Sequence, residues 1–80
     1  MYNYLYYTIY PNIEIEVDNV KISVNVNEKL ENIILLVRDL FCFQNILYLT
    51  YDNMLLDDYT KTLYDYQIHN NYKLECVFKA

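Results

Sequence analysis

The 80-residue chain contains no glycine and no tryptophan, and arginine, proline and alanine occur once each. This is the bias expected when codons are rich in A and T. Without glycine, every turn that needs positive φ must use asparagine or aspartate, whose short polar side chains tolerate the left-handed region. The Asp18-Asn19, Asp52-Asn53 and Asn70-Asn71 pairs meet that need. A single arginine and a formal charge of -5 argue against direct nucleic-acid binding, which is built on clustered cations that displace counterions. The same acidic balance disfavours an anionic membrane surface, and no apolar run approaches the ~20 residues of a spanning helix.

Cysteine is sparse as well. Cys42 and Cys76 stand far apart in neither a CxxC nor a CxxH spacing, so neither a metal site nor a redox pair is signalled. Two free thiols in a reducing intracellular compartment, cytoplasm or nucleus, are expected, with no cofactor. The N-terminal MYNYLYYTIYP lacks the basic start and small-residue cleavage site of a secretory signal, and is read as mature protein.

What is abundant is apolar and aromatic. Hydrophobic residues make up 55% of the chain and tyrosine alone numbers 11, which excludes a disordered polymer and predicts one small packed domain. Residues 12–26, NIEIEVDNVKISVNV, alternate on both sides of Asp18-Asn19 and predict a hairpin closed by a two-residue turn. Pairing outward sets Val17 opposite Val20, Glu16 opposite Lys21, Ile15 opposite Ile22 and Ile13 opposite Val24. One face is then aliphatic and the other carries a Glu-Lys pair.

In NEKLENIILLVRDLF, Asn27 is the expected N-cap, and Leu30, Ile33, Ile34, Val37, Leu40 and Phe41 recur along one helical stripe. Leu35 falls among Glu28, Glu31, Asn32 and Asp39 on the polar side. NILYLTY reads as a third strand with Leu47, Leu49 and Tyr51 inward. A turn at Asp52-Asn53, a short strand over Met54 to Leu56 and a last strand with Leu74, Cys76 and Phe78 on one face follow. A single sheet with one helix across one face, an α+β domain, is the simplest assembly.

This order, with these residues, resembles ubiquitin and its β-grasp superfamily. TLYDYQI is similar to ubiquitin's TLSDYNI, KLENI to its TIENV, and LLDDYTKTL to the corresponding loop of elongin B. DYQIHNNYKLECVF is similar to the DYEIH...LELYY ending of the ubiquitin-like splicing modifier family, whose first strand NIEIEVDN also resembles. The resemblance implies a ubiquitin-like domain over residues 12–80, preceded by a tyrosine-rich extension over residues 1–11. It implies that Leu63 and Ile68 point inward, that Tyr66 ties the loop by a hydroxyl-to-backbone bond, and that Asp65 accepts from backbone N–H groups. His69 is expected exposed, at the start of the last strand.

The resemblance also frames the function. Conjugation requires a Gly-Gly tail, and this sequence, which runs to Lys79-Ala80 without a glycine, is expected not to follow that chemistry. Positions of chain-building lysines carry Ile34, Leu36, Met54 and Asn70. Of the Leu-Ile-Val patch that ubiquitin receptors grip, Thr50 takes the isoleucine's place, Val77 matches the valine, Glu75 replaces the adjoining histidine, and the leucine's loop is shortened to Asp18-Asn19. What remains is a mixed strip of Tyr48, Thr50, Glu75, Val77 and Lys79, which is either a protein-binding surface or a solvated sheet face. In the splicing modifier family an acidic residue at the place of Glu28 pairs with an arginine on a partner's helix. A carboxylate there also favours the helix N-terminus by a few tenths to about 1 kcal/mol, whatever the partner.

The other residues of chemical interest are weaker. Asp57-Asp58 has neither a third oxygen ligand nor a partner base, and Ser23 has no signal for a histidine or aspartate beside it, so an enzyme is not expected. The uncharged segment holding Tyr4, Tyr6 and Tyr7 is β-prone and needs cover, from this chain or from a docked protein. The function expected is a non-conjugating binding subunit or adaptor with protein partners. The rivals are a splicing-factor-binding modifier and a conjugatable modifier matured from a longer precursor.

Overall fold

The structure, a computed structural model, describes residues 9–42 and 44–78. The elements are β1 (Asn12–Val17), β2 (Val20–Asn25), α1 (Leu30–Phe41), β3 (Ile46–Tyr51), β4 (Met54–Leu56) and β5 (Lys73–Phe78). They form one five-stranded sheet in the order β2-β1-β5-β3-β4. The β1–β5 pair is parallel and every other pair antiparallel. With α1 packed on one face, this is the α+β, β-grasp arrangement expected.

The hairpin register matches the alternation pair for pair, Val17 opposite Val20 through Ile13 opposite Val24. Asp18 and Asn19 turn with φ of 48° and 71°, as the inward twist of a two-residue hairpin demands. Glu16 does face Lys21 across the strands, but the Lys21 ammonium lies nearest the diagonal Glu14 carboxylate, at 3.9 Å. Both groups are solvent-exposed, so the pair adds little. Parallel pairing of β1 with β5 continues into the loops, where Glu16 donates to the Tyr72 carbonyl (2.9 Å) and Asp18 to that of Leu74 (3.0 Å).

The core lies between the sheet and α1. The helix contributes Leu30, Ile33, Ile34 and Val37, which meet Ile13, Ile15 and Val17 of β1 and the inward residues of the other strands. Each such aliphatic side chain is worth at most about 1.5–3 kcal/mol against the extended chain. Leu40 does not follow the expected stripe and is 52% exposed, because it lies at the stripe's margin in the last turn. Leu35 is 57% exposed, in line with its place on the polar side.

Two expectations about backbone chemistry need correction. Asn27 is not the N-cap. That position is Lys29, which makes no side-chain cap, and the first helical N–H groups are instead taken by distant carbonyls. Leu30 donates to Lys61 O (2.7 Å) and Glu31 to Tyr59 O (3.2 Å). Positive φ is also not confined to Asn and Asp, since Cys42 (58°) and Gln67 (59°) adopt it too. Cys42 ends α1 in the left-handed conformation usual for glycine, its N–H directed at the Arg38 and Asp39 carbonyls. Because the side chain is exposed, Cys42→Gly is expected to relieve the Cβ clash at no packing cost. A gain of about 0.5–1 kcal/mol, read as a rise of several degrees in Tm, is expected by calorimetry; Cys42→Val should lower it.

Candidate functional site

No buried polar or charged side chain occurs among the described residues, so the chemistry available to the molecule lies on its surfaces. The residues with special titration are few. Asp58 accepts both the hydroxyl (2.6 Å) and the backbone N–H (3.0 Å) of Thr60, which together hold its carboxyl below the usual range. Those bonds close a local Asx turn, and Asp57 beside it is exposed. Among the described residues no group of three or more His, Cys, Asp or Glu side chains is placed to hold a metal. Burial pushes the Cys76 thiol up to about 12, assisted by hydrogen bonding to Asp18, whereas Cys42 is exposed. An inert, protonated Cys76 is the consequence at neutral pH.

The TLYDYQIH stretch is scaffolding. Leu63 and Ile68 are fully buried. The Tyr66 hydroxyl accepts from the Asp58 N–H at 2.9 Å, and Asp65 accepts from Thr62 N–H at 3.0 Å while its own N–H donates to the Thr62 hydroxyl at 3.1 Å. His69 departs from the expectation. It is half-buried four residues before β5, with its ring 5.3 Å from that of Tyr72, and burial lowers its pKa. Tyr72 in turn stacks on Tyr51, with centroids 4.4 Å apart.

The strip is brought together by the β3–β5 ladder. Tyr48 pairs with Val77 and Thr50 with Glu75, while between them Leu49 is buried in the core and its partner Cys76 is half-buried against it. By the period-2 alternation of strands, these four side chains therefore stand on the face away from the helix. Leu55 of β4, 41% exposed and paired with Thr50, extends the second row outward. Tyr59 adds a ring 5.5 Å from that of Tyr48, inclined at 38°. Neither was expected at the strip. Leu55 follows from the period of a three-residue strand, but no local pattern in DDYTK signals Tyr59.

β3 itself differs from its expected pattern. Ile46 is buried along with Leu49 while Leu47 is only half-buried, because a bulge between Ile46 and Tyr48 shifts the alternation by one; Tyr51, beyond the bulge, packs against the core as expected. Arg38 donates to the Ile46 carbonyl from Nε (2.9 Å) and Nη2 (2.6 Å), and the Tyr59 hydroxyl donates to the Leu47 carbonyl. In β5, Cys76 is half-buried and Phe78 44% exposed, so the inward face of that strand thins out towards its end.

Glu28 is not part of this strip. It is exposed in the turn before α1, where one carboxylate oxygen accepts from the Lys29 N–H (3.2 Å) and the Asn32 side-chain amide (2.6 Å). Lys79, Tyr4, Tyr6 and Tyr7 lie outside the described residues. Among the described residues no helix is long and apolar enough to cross a membrane.

No protein-family model and no curated protein matches the chain. Solved structures do. The chain is similar to a protein designed de novo on the basis of ubiquitin, with a TM-score of 0.75 and 17% identity over 88% of this chain and 92% of that one. It is similar to the ubiquitin-like domain of an Arabidopsis thaliana protein, with a TM-score of 0.67 and 14% identity over 86% and 77% of the two chains. The ubiquitin of Caldiarchaeum subterraneum is similar with a TM-score of 0.67 and 17% identity, over 86% of this chain and 92% of that one. Strand order, helix placement and these neighbours together make the fold the ubiquitin-like β-grasp.

Proposed function

We propose that this ubiquitin-like chain binds a protein partner without covalent attachment, as a subunit or adaptor of a larger assembly in a reducing compartment, and that it is not an enzyme. The observation that carries the reading is the two-row strip, with Tyr48 beside Val77 and the row Glu75, Thr50 and Leu55 next to it. Half-buried tyrosine and valine with an exposed leucine on an open sheet face offer apolar contact area at low entropic cost, and Glu75 supplies one directional charge. Two free cysteines support the compartment.

The test is recovery of tagged protein from its native cells, followed by denaturing electrophoresis and intact mass. One stoichiometric partner, released by denaturant, is expected with the wild type. Val77→Asp puts a charge in the middle of the strip on a half-buried, core-remote position, and should cut recovery of that partner at least tenfold while the melting curve shifts little. Isolation of the wild type only as a free monomer, or as an isopeptide-linked product, would overturn the reading.

A further inference from the structure

Among the described residues, the bulge in β3 is a place where the sheet departs from regular pairing in a way the apolar pattern does not require. Ile46 pairs with Phe78 and Tyr48 with Val77, so two steps on β3 oppose one on β5 and Leu47 is the extra residue. An unbulged strand would set Leu47 opposite Phe78, turning Leu47 inward and Ile46 out. The run Ile46-Leu47-Tyr48-Leu49 is apolar throughout, so either register buries an aliphatic side chain next to Leu49. Hydrophobicity does not choose between them.

Two side chains do. Successive carbonyls at the bulge are each held by a donor from outside the sheet. Arg38, in the last turn of α1, grips Ile46 O through two N–H groups, and Tyr59, in the loop after β4, grips Leu47 O through its hydroxyl. Both donors are half-buried, and turning either carbonyl away would leave a guanidinium and a phenol short of partners. The Tyr59 ring also abuts that of Tyr48, so the residue that ties the bulge touches the strip directly.

We propose that Arg38 and Tyr59 are register-setting residues. They hold β3 in its bulged pairing, keep Ile46 in the core and Leu47 out of it, and so define the end of the strip at Tyr48. The consequence for partner recognition rests on the proposed reading of the strip. The register does not, because it is read without a partner.

The experiment is NMR of the labelled full chain, comparing wild type, Tyr59→Phe, and Arg38→Met combined with Tyr59→Phe. The wild type should show interstrand backbone NOEs from Phe78 to Ile46. In the double variant these should pass to Leu47, while the Leu49–Cys76 and Thr50–Glu75 NOEs persist. Tyr59→Phe keeps the ring and its packing, so it guards against a double variant that fails to fold. It should show a second, minor set of resonances confined to Ile46, Leu47 and Phe78. A single wild-type-like set in Tyr59→Phe, or retention of the Ile46–Phe78 NOEs alone in a folded double variant, would overturn the proposal.

Discussion

Leu63→Ala should cost about 2–5 kcal/mol, the range for truncating a buried leucine whose surroundings relax only partly. Leu63 is fully buried in the core cluster, yet it belongs to a turn rather than to a helix or strand. The turn around it is sewn by three contacts to the stretch that runs from the end of β2 into α1. Tyr64 donates to the Val26 carbonyl (3.0 Å), Leu30 donates to Lys61 (2.7 Å), and Lys29 and Thr62 form an isolated bridge. Inside the turn, Ile68 donates to the Leu63 carbonyl itself at 2.9 Å. These bonds keep the backbone in place when the side chain is removed, so the cavity cannot close, and the cost should fall in the upper half of the range. Against a total of about 4–12 kcal/mol for a chain this long, such a loss removes a large fraction of the stability. A fall in Tm of roughly 14–40 °C is expected by circular dichroism, at about 4–8 °C per kcal/mol. Thr62→Ala in the same turn should cost only about 1 kcal/mol, as for a lost cap. Equal effects of the two substitutions would mean that Leu63 does not anchor the turn.

That contrast shows what the amino-acid pattern conveys and what it does not. The hairpin was legible residue by residue, because period-2 alternation on both sides of Asp18-Asn19 admits only one register that keeps Ile13, Ile15, Val17, Ile22 and Val24 on one face. Most of the helical stripe was legible for the same reason, its four buried residues recurring at 3.6 spacing. Where the pattern is degenerate it misleads. Ile46-Leu47-Tyr48-Leu49 fits two registers, and the choice is made by Arg38 and Tyr59, 8 and 12 residues from the carbonyls they bind. The helix start is hidden from the sequence for a related cause. A side-chain cap is a local signal, but here the caps are the Lys61 and Tyr59 carbonyls, roughly thirty residues downstream, and no local pattern could reveal them.

The candidate site divides along the same line. Tyr48, Thr50, Glu75 and Val77 could be grouped from alternation, since pairing β3 with β5 fixes which residues share a face. Tyr59 could not, because it arrives from an irregular loop. Its hydroxyl reaches β3 on one side of Tyr48 while its ring meets the Tyr48 ring. The fold is thus carried by short-range periodicity. The detail of the surface at the strip is carried by a few long-range polar contacts.

Asp18 shows such a contact at its most consequential. Its N–H donates to the Leu74 carbonyl (3.0 Å), its Oδ1 accepts the Cys76 N–H (3.1 Å), and its φ of 48° lies in the left-handed region. One residue therefore closes the hairpin and extends the parallel β1–β5 ladder beyond its last regular pair, Val17 with Leu74. Asp18→Ala removes the acceptor from the Cys76 N–H and keeps a Cβ in a conformation that aspartate tolerates better, for a combined loss of about 2–3 kcal/mol. Asp18→Gly loses only the acceptor and should cost about 1 kcal/mol less, and Asp18→Asn, which keeps a carbonyl acceptor, should lie nearest the wild type. Denaturation in urea would rank the three, and a ranking with Gly below Ala would show that the backbone conformation is not limiting. The thiol supplies an independent readout. Burial is the first cause of the raised Cys76 pKa and hydrogen bonding to Asp18 the next, so Asp18→Ala should lower that pKa from about 12 while leaving it above the ordinary value of 9.0. Because the folded chain holds this proton more tightly than the unfolded one, the thiol's contribution to stability is complete below pH 9 and is lost as pH rises towards 12. Removing the Asp18 carboxylate should narrow that window from above, and alkylation of Cys76 as a function of pH, in a Cys42→Ser background, would measure the change.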